Sequence, residues 1–222
     1  MKKSGLLAAA LFAFVKLTYA QTQHAFWQDV QTIKAYDQMY QPPVNPVLFT
    51  GSSSVRKWDD LEYAFADYHA LNRGVGGTVI NDLIYYTDDL IFAYHPRQII
   101  LYIGENDLPD EKTTADSVLN RFTSLYEKIR AKLPNVPIAY IAMKPSPSRD
   151  QYMEKAKAAN LLIKNYLAKQ HHASFIDIYP LMLNKAGKSR PELFVEDMLH
   201  MNKQGYALWE EKVKPYLLKE KK

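Results

Sequence analysis

The chain has no cysteine among its 222 residues. That absence rules out a disulfide scaffold and a lipid-modified cysteine, so stability has to come from the buried core. Also missing is an apolar run long enough to span a bilayer: the longest candidate, Leu6 to Val15, is too short for a transmembrane anchor. It follows Lys2 and Lys3 and closes on Thr18-Tyr19-Ala20, the pattern of an export signal cleaved after Ala20. Residues 1–20 are therefore expected to be a signal peptide, and 21–222 a single domain of a protein that is periplasmic or secreted.

An excess of one charge is lacking too. The formal charge of +4 falls to +1 once Lys2, Lys3 and Lys16 leave with the signal, so the chain carries no basic signature for nucleic acid. The histidines His24, His69, His95, His171 and His172 show no metal-ligand spacing, and no metal or other cofactor is implied. Two catalytic patterns are incomplete. Ser54-Val55-Arg56-Lys57 fits S-x-x-K but has neither SDN nor KTG after it, and G-x-S-x-G fails because Val55 stands at the second glycine. The Gly74-Val75-Gly76 start of a dinucleotide motif lacks its third glycine and follows the second strand, not the first.

What is present is an alternation. Short, nearly continuous apolar runs occur at Val47–Phe49, Ala70-Leu71, Ile99–Ile103, Ile138–Ile141 and Phe175-Ile176, as expected for strands covered on both faces. Between them, Ile80, Leu83, Ile84, Thr87, Leu90, Ile91 and Tyr94 keep helical spacing, as do Val118, Phe122, Leu125 and Ile129. Asn160 to Leu167 and Tyr206, Trp209, Val213 and Leu217 continue the alternation, and His24 to Met39 reads as an extra N-terminal helix. The order is that of an α/β domain with a parallel sheet.

In such a sheet, functional groups collect beyond the carboxyl ends of the strands. The first strand is followed by Gly51-Ser52-Ser53-Ser54, the second by Asn72-Arg73-Gly74-Val75-Gly76-Gly77, the third by Gly104-Glu105-Asn106-Asp107. The last loop before the final helix holds Asp197 and His200, three residues apart. A serine hydroxyl needs a base to become nucleophilic, and an imidazole oriented by a carboxylate is the usual one. Each piece alone has a plainer reading, as turn material or as a helix-capping acid followed by a surface histidine; their order along the chain is what makes the set informative.

The blocks "FTGSSS", "NRGVGG", "IGEND" and "DMLH", in that order, resemble those of the SGNH hydrolases, the GDSL-like esterases and lipases. The resemblance implies a three-layer flavodoxin-like α/β/α fold with a five-stranded parallel sheet. It implies Ser53 as nucleophile, Asp197 and His200 as the other triad members, and an oxyanion hole from the Ser53 and Gly77 N–H groups and the Asn106 amide. Two positions depart from the family pattern: Ser52 replaces the acid of Gly-Asp-Ser, and Glu105 stands where many members have threonine.

Arg56, Arg73, Lys144 and Arg149 lie in or near the strand-end loops. They are candidates for a cationic rim that, with Glu105, would contact an anionic substrate, or else for ion pairs with Glu105, Asp107 and Asp110. The expected activity is hydrolysis of carboxylic esters, foremost short acyl groups such as O-acetyl on carbohydrate. The alternatives are a lipid or lysophospholipid acylhydrolase and a non-catalytic carbohydrate-binding protein that keeps the fold; sixteen tyrosines suit a sugar-binding surface.

Overall fold

A computed structural model describes residues 23–220. The expected export signal lies outside the described residues. Five strands, β1 (Val47–Gly51), β2 (Ala70–Gly74), β3 (Gln98–Tyr102), β4 (Ile138–Ile141) and β5 (Ala173–Ile176), form one sheet in the order β2-β1-β3-β4-β5. Every neighbouring pair is parallel, with Phe49 opposite Asn72 on one side and Ile100 on the other. All residues of β1, β3 and β4 are buried, which explains why their sequences are unbroken apolar runs and not alternating ones.

Alternation along the strands divides the core in two. Leu48, Leu71, Ile99, Leu101 and Tyr140 face one layer, and Val47, Phe49, Ile100, Tyr102 and Ile141 the other. The first layer holds α1 (Trp27–Met39), α4 (Ile80–Tyr85), α5 (Thr87–Leu90), α6 (Ala115–Lys132) and α7 (Met153–Leu167), through Val30, Leu83, Leu90, Phe122 and Ile163. The second holds the short helices α2 (Ser53–Arg56) and α3 (Leu61–Ala64) and the C-terminal α8 (Lys203–Val213), through Val55, Leu61 and Trp209. This is the three-layer α/β/α arrangement expected from the sequence. The long α6 starts where Thr114 accepts from the Ser117 N–H, and its stripe Val118, Phe122, Leu125 and Ile129 is buried, as the spacing requires.

One helical expectation fails in detail. Residues 80–94 form not one crossover helix but α4, α5 and a 3₁₀ turn at Phe92–Tyr94. The Thr87 hydroxyl donates to the Ile84 carbonyl at 3.1 Å, and the Tyr86 hydroxyl is drawn to the Ala25 carbonyl at 2.9 Å. A local bond such as that of Thr87 competes with the helical ladder, and the chain bends there while keeping its apolar side inward.

Strand β1 leads to β2 on one side and lies against β3 on the other. The sheet reverses its direction of winding at that point, and the crevice opens beyond the ends of β1 and β3.

Candidate active site

At the end of β1 the backbone must pass very close to β3. Gly51 adopts φ 131°, and a Cβ there would stand 1.9 Å from the Tyr102 carbonyl oxygen, so no other residue fits. The next amide, Ser52 N–H, donates to that same carbonyl at 2.9 Å. Ser52 and Ser54 are buried, and the Ser54 carbonyl accepts from the Tyr206 hydroxyl at 3.1 Å. Ser53, the first residue of α2, is the one of the three that retains exposure.

The loop after β2 is laced to this turn. The Asn72 side chain donates to the Val55 carbonyl at 2.7 Å and accepts from the Gly74 N–H at 3.0 Å, and the Val75 N–H donates to the Gly51 carbonyl at 2.8 Å. Gly77 follows with φ 85°, a left-handed conformation that favours glycine. From the loop after β3, the Asn106 amide donates to the Thr78 carbonyl at 3.0 Å, next to Gly77, leaving its second N–H uncommitted. Asp107 anchors that loop by accepting from the Ile80 N–H at 3.1 Å and from Arg121 at 2.8 Å. Burial pushes the Asp107 carboxyl up, against the opposing pull of those two partners.

The last loop is a tight turn in which Met198 takes a left-handed φ of 53°. Asp197 Oδ1 accepts the backbone N–H groups of Leu199 and His200 at 2.9 and 2.8 Å, and its Oδ2 lies 2.5 Å from His200 Nδ1. The other ring nitrogen, Nε2, is 2.9 Å from Ser53 Oγ. Desolvation opposes ionisation of Asp197, but the bonds from His200 and Leu199 outweigh it and hold its carboxyl well below the usual carboxylate range. Ser53, His200 and Asp197 thus form one hydrogen-bonded chain.

The basic residues of the strand-end loops are mostly turned elsewhere. Lys144 and Glu105 are buried and pair with each other at 2.6 Å, while the Tyr102 hydroxyl donates to the same carboxylate. Arg73 is drawn under α1, bound to Asp37 and to the Tyr94 hydroxyl. Arg149 lies beside the Tyr152 ring, 6.0 Å from its centroid. Arg56 stays at the crevice, facing Asp29 at 3.7 Å. These positions leave no continuous cationic rim.

Two neighbours of the site are not signalled by any motif. Lys57 Nζ lies 3.2 Å from His200 Nδ1. Phe26, at the start of α1, sets its ring edge 3.3 Å from where a Gly77 Cβ would be. A groove of about 590 Å³ runs past Lys57, Val195 and Tyr206, and another of about 420 Å³ lies between α1 and the end of β2.

The family model of GDSL-like lipases and acylhydrolases matches residues 44–208, from the start of β1 into α8. The chain belongs to that family. Among solved structures, this GDSL-like chain is similar to a protein from Streptococcus pneumonia, at 21% identity over 86% of this chain and 92% of that one, with a TM-score of 0.75. It is also similar to a GDSL-like lipase from Bacteroides thetaiotaomicron, at 18% identity over 85% and 97% of the two chains, with a TM-score of 0.72. A carbohydrate esterase family 3 protein from Talaromyces cellulolyticus matches at 16% identity over 79% and 96%, with a TM-score of 0.61. At these identities the likeness is one of fold. No curated protein sequence matches the chain significantly.

Among the described residues no group of three or more His, Asp and Glu side chains could hold a metal ion, and no helix is long and apolar enough to cross a membrane.

Proposed function

We propose that this GDSL-family chain is an exported serine esterase that cleaves short acyl esters, such as O-acetyl groups on carbohydrate, through an acyl-enzyme on Ser53. The observation that carries the reading is the 2.9 Å approach of His200 Nε2 to Ser53 Oγ, with Nδ1 occupied by Asp197. Asp197 accepts the Nδ1 proton, which leaves Nε2 as the acceptor that faces the serine. His200 takes the Ser53 proton as Oγ attacks the ester carbonyl, then returns it to the departing alcohol. Water, deprotonated by the same imidazole, releases the acyl group and regenerates the serine.

Charge that develops on the carbonyl oxygen is met by the Ser53 and Gly77 N–H groups and the free N–H of Asn106, the last aimed by its bond to the Thr78 carbonyl before substrate arrives. The ring of Phe26 against Gly77 narrows this end of the crevice, which supports a short acyl group. The carbohydrate esterase among the fold neighbours is in keeping with a sugar ester.

The test is twofold. A fluorophosphonate is expected to label the protein once, at Ser53, and acetyl esters are expected to turn over faster than octanoyl esters. Labelling elsewhere removes Ser53 from the mechanism, and faster octanoyl turnover favours a lipid acylhydrolase.

A further inference from the structure

The groove of about 420 Å³ between α1 and the end of β2 is within the roughly 300–1,000 Å³ range of small-molecule sites. One of its lining residues, Arg56, adjoins the reaction centre. Arg56 Nη1 and the Ser53 Cβ lie 3.0 and 3.8 Å from the same point, where a Gly76 Cβ would stand. On the other wall, α1 brings Phe26 against Gly77 and Asp29 opposite Arg56. This helix precedes residue 44, so the wall is built outside the segment that carries the family match.

The lining mixes polar side chains with Ile33 and Val75, and its one acid and one base leave it nearly neutral. Gln28 and Asp29, then Thr32, line it from successive turns of α1, and Tyr36 follows one turn later, 56% exposed. Arg56 meets Asp29 at 3.7 Å, too long for a hydrogen bond, so its guanidinium and the facing carboxylate both keep their bonding capacity. A carboxylate ligand drawn to Arg56 would be repelled by Asp29 across the groove. A polyhydroxy ligand meets no such conflict: adjacent hydroxyls donate to Asp29 and accept from Arg56 and Gln28, and the apolar face of a sugar ring suits the Tyr36 side chain.

We propose that this groove is the saccharide subsite of the esterase and seats a neutral sugar ring whose acetyl ester reaches Ser53 past Gly76. Asp29, Arg56 and Gln28 hold the ring hydroxyls, and Tyr36 covers the far end. The proposal rests on the esterase reading of Ser53.

The experiment compares kcat/KM for an acetylated xylo-oligosaccharide with kcat/KM for 4-nitrophenyl acetate, which has no sugar to seat. It uses the wild type, Asp29→Ala, Tyr36→Ala and Arg56→Met, with thermal melts to confirm folding of these surface variants. The saccharide-to-aryl ratio is expected to fall about tenfold or more in Asp29→Ala and Arg56→Met, the scale of a lost hydrogen bond to a charged group, and less in Tyr36→Ala. Ratios equal to wild type in the first two variants overturn the subsite while leaving the esterase standing. A wild type that cleaves neither ester overturns the esterase reading and the subsite with it.

Discussion

His200 Nε2 lies 2.9 Å from Ser53 Oγ across a separation of 147 residues, because α8 and the turn before it pack back onto the end of β1. If that contact activates the serine, the two residues act as a unit. Ser53→Ala and His200→Ala are each expected to lower kcat by about 10⁶, and the double variant to be no worse than either. Neither change opens a large void, so melting temperatures should stay near wild type. Acetate release measured for all three variants checks this, and additive losses in the double variant would contradict a shared role.

The Asn106 side-chain amide donates one hydrogen bond to the Thr78 carbonyl, and that bond aims its remaining N–H. Asn106→Ala is expected to cost about 10²–10³ in kcat with little change in KM, the pattern of a donor used only in the transition state. Asn106→Asp should be slower still, since it replaces a donor by a charge of the same sign as the oxyanion. Steady-state kinetics on one acetyl ester decide between these outcomes.

Asp197 should remain ionised over the whole range in which the enzyme works, because its carboxyl is held well below the usual range by His200 and Leu199. A depressed folded-state value means that its contribution to stability is present above the unfolded value, about 3.9, and is lost as pH falls toward the folded one. The stability gap between wild type and Asp197→Asn is therefore expected to hold level from pH 7 to about 5 and to close below about 4. Denaturant melts at stepped pH values measure it, and a gap that closes near pH 6 would be inconsistent with this assignment. In activity, Asp197→Asn is expected to lose roughly 10⁴ in kcat through the wrong imidazole tautomer.

The sequence exposes some of this design and hides the rest for a physical reason. Strands buried on both faces write themselves as apolar runs, so Val47–Phe49, Ile99–Ile103 and Ile138–Ile141 are legible in one dimension. Ser53, Asn106 and the Asp197/His200 pair are visible because strand ends all open on one crevice. Partner choice among charges is different, since it depends on where a long side chain points after folding. Glu105 had four basic candidates in its neighbourhood and takes Lys144, while Arg73 turns to Asp37 on a helix that precedes it by a whole strand. Nothing in the spacing of Lys57 or Phe26 signals that one meets His200 and the other Gly77. The break after Tyr85 is accompanied by a local bond from Thr87 and a long-range one from Tyr86 to Ala25, which apolar periodicity cannot register.

The Glu105–Lys144 pair supplies a test of stability that is separate from activity. Their side chains are 5% and 1% exposed and meet at 2.6 Å, directly beneath the loop that carries Asn106. A buried pair gains little over an apolar pair of the same volume, because desolvation offsets the Coulomb attraction, but a buried charge left alone is costly. Lys144→Met and Glu105→Thr, the latter restoring the residue common in the family, are each expected to destabilise by about 3–5 kcal/mol. The combined Glu105→Thr/Lys144→Met variant should lie closer to wild type than Lys144→Met alone, since no charge is stranded. Urea unfolding with a shared slope measures all of these. A double variant as weak as the sum of the singles would mean that the two side chains are uncoupled and that a stranded charge is not what weakens either single variant.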